Sequence, residues 1–167
     1  MPASHFSAAA LVSRRRGLLL AFALALAVFV VDQGLKELVE RTMRVGESVV
    51  LIPDLLSLTY IKNPGGAFGI LGGQGTVLLL GSAVAVAFVL WMLLSGSPNQ
   101  LTVIGCGLVL GGAAGNLLDR LASGEVTDYV HFSFWYIFNA ADAAIVVGVG
   151  LLLVAALRPE KASRQTG

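Results

Sequence analysis

Ten acidic residues stand in a chain of 167 residues that is 56% apolar and 13% charged. Asp32, Asp119, Asp128 and Asp142 lie inside long apolar runs or at their ends. Glu37, Glu40, Glu47, Asp54 and Glu125 stand in polar stretches, and Glu160 lies in the C-terminal tail. A carboxylate within a membrane helix costs about 2.5–3.5 kcal/mol on insertion scales, so the first four are functional candidates by default. Two carboxylates at close range cannot both ionise and share one proton. The ionised member can then take a proton from water while the protonated member polarises a carbonyl. Asp128, in Gly124-Glu125-Val126-Thr127-Asp128-Tyr129-Val130, and Asp142, in Phe138-Asn139-Ala140-Ala141-Asp142, are the candidates for such a pair. For Asp142 a plainer account competes: Asn139 as helix N-cap and Asp142 as third residue of a capping box, at the positive end of the helix dipole. That account covers one carboxylate and leaves Asp128 unexplained.

Other polar residues keep the same company. Asn116 and Arg120 are four apart in Gly115-Asn116-Leu117-Leu118-Asp119-Arg120 and share a helical face. Arg120 is suited to a carboxylate or a phospholipid headgroup, with snorkelling to the interface as the bland alternative. Asp32 and Lys36, also four apart, read most simply as a helix ion pair. The histidines are His5 and His131 and the one cysteine is Cys106, so neither a metal cluster nor a cofactor is indicated. His131 reads as interfacial rather than as a base, and Cys106, inside an apolar run, as a small hydrophobe.

These residues need membrane helices to position them. Soluble domains average about 45–50% apolar and 25% charged residues, so the composition points to lipid as solvent. The net charge of +1 gives no footprint for nucleic acid. Four apolar segments approach the ~20 residues that cross a bilayer: about 17–38, 76–94, 101–118 and 138–157. Lipid cannot satisfy a backbone N–H, so these are helices. Arg14, Arg15 and Arg16 ahead of an apolar run resemble a signal peptide. The run continues through Val28–Val31, however, and the segment is read as a retained span. Basic residues before the first span and after the fourth (Arg158, Lys161 and Arg164) place both termini in the cytoplasm. The loops about 39–75 and 119–137 then face outward. Ser48–Ile52 and Leu56–Ile61 are strand-like, broken at Pro53-Asp54, and Asn63-Pro64-Gly65-Gly66 signals a turn. Phe132, Phe134, Trp135 and Tyr136 suit the headgroup layer. The expected fold is all-α and integral to the membrane: four transmembrane helices in a single domain, 1–167, with a small sheet in the outer loop region. The first dozen residues and the tail after Arg158 are expected to be mobile.

Four blocks in order resemble the lipoprotein signal peptidase (signal peptidase II) family: Asp32-Gln33-Gly34-Leu35-Lys36; Tyr60-Ile61-Lys62-Asn63-Pro64-Gly65-Gly66-Ala67-Phe68; Gly115 to Arg120 leading to Gly124–Tyr129; and Phe138–Asp142. The resemblance runs from about Arg14 to Leu157. It implies that Asp128 and Asp142 are a catalytic dyad. By the same resemblance Asn63, Asn116, Arg120 and Asn139 shape the site, and Asp32 and Lys36 support it. The implied reaction removes the signal peptide of a prolipoprotein by cleaving before a diacylglyceryl-modified cysteine. The implied setting is the bacterial inner membrane, with the site near its outer surface, membrane lipids around a monomer, and no cofactor. Gly66 and Tyr129 depart from the commoner alanine and phenylalanine, away from the proposed chemistry. A loop gate is expected from Gly65-Gly66 and Gly72-Gly73.

Two other functions fit the same carboxylates. A proton-coupled carrier would place them near the midplane, often with repeat symmetry, and no repeat is evident. A lipid-modifying enzyme would need only one of Asp128 and Asp142.

Overall fold

The structure is a computed structural model describing residues 8–65, 75–95 and 98–158, with side chains described from Val12 in the first helix and from Leu80 in the second. The Gly66, Gly72-Gly73 and C-terminal tail expectations lie outside these residues, as do the first seven residues. Four helices and three strands follow in the order α1 (Ala8–Thr42), β1 (Ser48–Ile52), β2 (Leu56–Asn63), α2 (Gly75–Leu94), α3 (Gln100–Ser123), β3 (Val126–Phe132) and α4 (Ala140–Leu157). Val12–Thr42, Gln100–Ser123 and Ala140–Leu157 are long and apolar enough to cross a membrane, and the Leu80–Leu94 part of α2 is a shorter apolar helix.

Helix α3 is central and packs against the other three. Of its most apolar window 61% is buried, against 11% for α1 and for α4, whose outward faces carry Leu26, Val30, Val146 and Leu153. Small residues allow this closeness, as they do where lipid leaves van der Waals packing to drive helix association. A Cβ on Gly107 would stand 2.8 Å from the Ala21 carbonyl of α1, and one on Gly111 2.5 Å from that of Ala25. On the other face Gly105 and Gly148 let α3 and α4 meet backbone to backbone. Behind them Ala21, Val89, Leu93, Val103, Cys106, Val109 and Leu110 form the apolar core, where Cys106 is fully buried.

The strands form one antiparallel sheet in the order β1-β2-β3. Asp54 takes φ +58° between β1 and β2, a left-handed conformation that aspartate tolerates better than most residues. The third strand is a departure from the sequence reading, which located the sheet in the first outer loop alone. Val126–Phe132 reads as polar because Thr127 and Asp128 interrupt its apolar residues, yet its first four residues are buried. Their partners come from β2, about 65 residues earlier, with Ile61 opposite Asp128 and Asn63 opposite Val126.

Helix boundaries differ too. Asp119 and Arg120, expected at the start of a loop, lie within α3, which continues through Leu121-Ala122 to a left-handed cap at Gly124 (φ +80°). Phe138, expected in the fourth helix, pairs instead with Val130 as a β-bridge, and α4 begins at Ala140. Helix α1 overruns its expected end by a turn, and this turn holds the sheet. Val39 packs with Tyr60 and Tyr129, while Glu40 accepts from Lys62 Nζ (2.6 Å) and Thr127 Oγ1 (2.5 Å).

Candidate active site

The end of α1, the end of α3, strand β3 and the start of α4 converge beside the sheet. Asn139 caps α4: its side-chain oxygen accepts the Asp142 N–H (3.0 Å), and Asp142 Oδ2 accepts the Asn139 N–H (3.2 Å). The capping box is therefore present. It does not exhaust Asp142, whose Oδ1 accepts from Asn116 Nδ2 of α3 at 2.7 Å. From the other side Asp128 arrives on β3, 2% exposed. Its Oδ1 accepts from Asn139 Nδ2 (2.7 Å) and its Oδ2 from Asn63 Nδ2 (2.8 Å). Asn139 thus hydrogen-bonds both carboxylates, and both line one cavity of about 300 Å³. Burial pushes the Asp128 carboxyl up to about 6, and the Asp142 charge adds to this against the Asn63 and Asn139 amides.

The amides face the acids because their oxygens are engaged elsewhere. Asn63 Oδ1 accepts the Gly65 N–H (3.1 Å), which leaves its NH₂ toward Asp128. Asn139 Oδ1 accepts the Asp142 N–H, which turns its NH₂ to Asp128, Asn116 Oδ1 and the Thr127 carbonyl. Asn116 Oδ1 accepts from Lys36 Nζ (2.9 Å) and Asn139 Nδ2 (3.1 Å), so its NH₂ meets Asp142. A backbone N–H or an ammonium can only donate, which fixes which end of each amide is which.

Asp32 and Lys36 form the expected pair at 2.7 Å, but it is no surface ion pair: the residues are 0% and 3% exposed. Lys36 Nζ also lies 2.7 Å from Asp119 Oδ2. That oxygen lacks a well-angled hydrogen bond, so it is held by charge and proximity. Asp32 Oδ1 accepts the Ala141 N–H at 2.9 Å, a second cap for α4 donated by α1. Arg120 lines the cavity with Nη1 3.4 Å from Ser82 Oγ and from the Asn116 carbonyl, and no carboxylate is its hydrogen-bond partner in the described contacts. His131 sits on the sheet, 3.3 Å from Thr59 Oγ1 and 3.4 Å from Ser57 Oγ, away from the cavity lining. Among the described residues no three His, Cys, Asp or Glu side chains converge as a metal site.

The eight residues that the resemblance assigns to the site, and Asp119 with them, therefore fall in one connected polar cluster. The sequence reading missed Gln33, which donates to Asp32, Asp119 and the Gly115 carbonyl, and the Glu40–Lys62–Thr127 brace. A signal existed for Gln33, which stands between Asp32 and Lys36 in the first block. The brace joins residues 22 and 87 positions apart and leaves no local pattern.

Beside its polar residues the cavity is lined by apolar ones, among them Trp135, Ile137, Phe138, Ile145 and Val146. The family model for signal peptidase (SPase) II matches residues 24–158, which include this whole cluster. The chain belongs to the signal peptidase II family. It is 43% identical over 142 residues to a lipoprotein signal peptidase of Desulfitobacterium hafniense, covering 83% of this chain and 93% of that one. A lipoprotein signal peptidase of Halothermothrix orenii is 38% identical over 140 residues, covering 84% and 97%. Among solved structures, a bacterial membrane enzyme determined by the in meso method at 2.3 Å resolution superposes with a TM-score of 0.79 at 28% identity, covering 88% of this chain and 93% of that one. Another, at 1.9 Å, gives 0.75 at 31% identity, covering 84% and 94%. This signal peptidase II family member is a membrane enzyme, a hydrolase of peptide bonds.

Proposed function

We propose that this peptidase removes the signal peptide from prolipoproteins by cleaving before a diacylglyceryl-modified cysteine, with Asp128 and Asp142 as the dyad that activates water. The observation that carries the reading is Asn139, hydrogen-bonded to Asp128 through its amide and to Asp142 through its backbone N–H, both acids lining one cavity with a largely apolar wall. The ionised aspartate takes a proton from water, whose oxygen attacks the carbonyl carbon of the scissile bond. The protonated aspartate gives its proton to the carbonyl oxygen. In the collapse the C–N bond breaks, the first aspartate passes its proton to the leaving amine, and a hydroxyl of the intermediate returns one to the second. The products are the signal-peptide carboxyl and the free amine of the lipidated cysteine. The apolar wall suits acyl chains, and Arg120 supplies positive charge beside them.

In this reading all four helices span the bacterial inner membrane. The 20 residues of α2 reach about 30 Å at 1.5 Å per residue, the thickness of the hydrocarbon core. Both termini are cytoplasmic, lipids surround a monomer, and the sheet end of the bundle carries the site at the outer surface. The test is mass spectrometry of products from a prolipoprotein peptide with and without the diacylglyceryl group, incubated with the purified chain in detergent. Cleavage before the cysteine of the lipidated form alone is expected. Equal cleavage of both forms, or of neither, would overturn the substrate assignment.

A further inference from the structure

Three asparagine amides face the two carboxylates, and they are fixed by different means. Asn63 and Asn139 are locked by backbone N–H groups of Gly65 and Asp142, which the fold itself supplies. Asn116 stands mid-face on α3, where helix hydrogen bonds already occupy the neighbouring backbone donors, and the shortest hydrogen bond to its oxygen comes from a side chain, Lys36 Nζ at 2.9 Å. The second donor, Asn139 Nδ2 at 3.1 Å, is shared with Asp128 and the Thr127 carbonyl.

We propose that Lys36 is a positioning residue: it locks the side-chain amide of Asn116 so that the NH₂ group faces Asp142. The inference rests on the dyad reading and deepens it. Were the amide to turn over, its oxygen would oppose the carboxylate, and its NH₂ would meet the Lys36 ammonium and the Asn139 amide, donor against donor. The ammonium is itself immobile. It is 3% exposed and lies 2.7 Å from both Asp32 Oδ2 and Asp119 Oδ2, while Gln33 bridges those two acids. Gly115 makes the arrangement possible, because a Cβ there would collide with the Asp32 carboxylate. Lys36 thus donates to one amide oxygen while two carboxylates hold its charge from either side. It is absent from the lining of the cavity that holds Asn116, Asp128 and Asp142, and borders a separate one of about 290 Å³. A residue so placed acts on turnover through Asn116 and leaves the substrate surface untouched.

The experiment is a double-mutant cycle on the purified full-length chain, with a diacylglyceryl-modified prolipoprotein peptide as probe: wild type, Lys36→Met, Asn116→Ala and the double variant. Lys36→Met is expected to lower kcat about 10- to 100-fold, the worth of one hydrogen bond to a charged group, with KM unchanged. In the Asn116→Ala background the same substitution is expected to cost nothing further, because the group it positions is gone. Multiplying effects, or wild-type kcat in Lys36→Met, would overturn the lock. If Lys36→Met alone yields too little folded protein, the charge-matched pair Lys36→Met with Asp32→Asn takes its place, against Asp32→Asn as reference, with the same two outcomes. Asp128→Asn and Asp142→Asn are assayed alongside. Activity in either removes the dyad reading, whereas inactivity in both with multiplying effects in the cycle removes only the lock.

Discussion

Asp32 and Asp128 are both buried aspartates at the sheet end of the helix bundle, and their partners differ in kind. Asp32 is fully buried, 2.7 Å from the Lys36 ammonium, which Asp119 also flanks at 2.7 Å. Among the described residues Asp128 has no cation as a hydrogen-bond partner; the amides of Asn63 and Asn139 donate to it, and it shares its cavity with a second carboxylate. An ion pair of this kind fixes side chains in place and braces α1 against α3. Amide donors hold a carboxylate in position without neutralising it, so burial and the neighbouring acid still raise Asp128 to about 6. The first cluster is an ion-paired brace; the second is a pair of acids held by amides, the arrangement the proposed mechanism needs.

The comparison can be broken from either side. Asp32→Ala removes a buried partner of Lys36 and the cap on the Ala141 N–H. It is expected to cost about 3 kcal/mol of stability, the low end for a broken buried pair because Asp119 remains, read as a lower midpoint in detergent unfolding. A midpoint equal to wild type would mean that the charged cluster is not structural. Asn139→Ala strips the group common to both acids and should lower kcat about 100-fold, while losing about 1 kcal/mol as an N-cap. Activity lost only in proportion to folded protein would reduce Asn139 to a cap.

A finer probe is Asn63→Ala. The Asn63 amide favours ionised Asp128, so its removal raises that carboxyl further above its ordinary value of 3.8. The shared proton is then held to higher pH, and the descending limb of the pH–rate profile should move upward. A downward or absent shift would detach that limb from Asp128. The smallest effect is expected at Glu37, whose pair with Arg41 leaves the two side chains 57% and 75% exposed. Glu37→Gln should change stability by no more than about 0.5 kcal/mol and leave cleavage intact. A large loss there would show that charge anywhere near α1 matters, and the contrast between the clusters would fail.

The sequence made the helices legible through their apolar runs, and the β1–β2 break through Pro53-Asp54. The Asn139–Asp142 capping box could be read from its three-residue spacing, a purely local relation. Strand β3 could not, because its partners lie in another loop and its two buried polar residues are satisfied by distant ones, Thr127 by Glu40 and Asp128 by Asn63 and Asn139. Lys36 shows the same limit. Its four-residue spacing from Asp32 is visible, but its bond to Asn116, 80 residues away, exists only once α1 and α3 pack through Gly107 and Gly111. The four blocks thus marked which residues gather; the packing decides which ones touch.

The most direct test of the dyad is turnover of a diacylglyceryl-modified prolipoprotein by Asp128→Asn and Asp142→Asn, each with its unfolding midpoint. Asparagine keeps the shape and loses the exchangeable proton. Turnover about 10³-fold lower or less in both variants, with midpoints at or above wild type, is the predicted result. Near-normal cleavage by either variant would contradict the two-carboxylate mechanism.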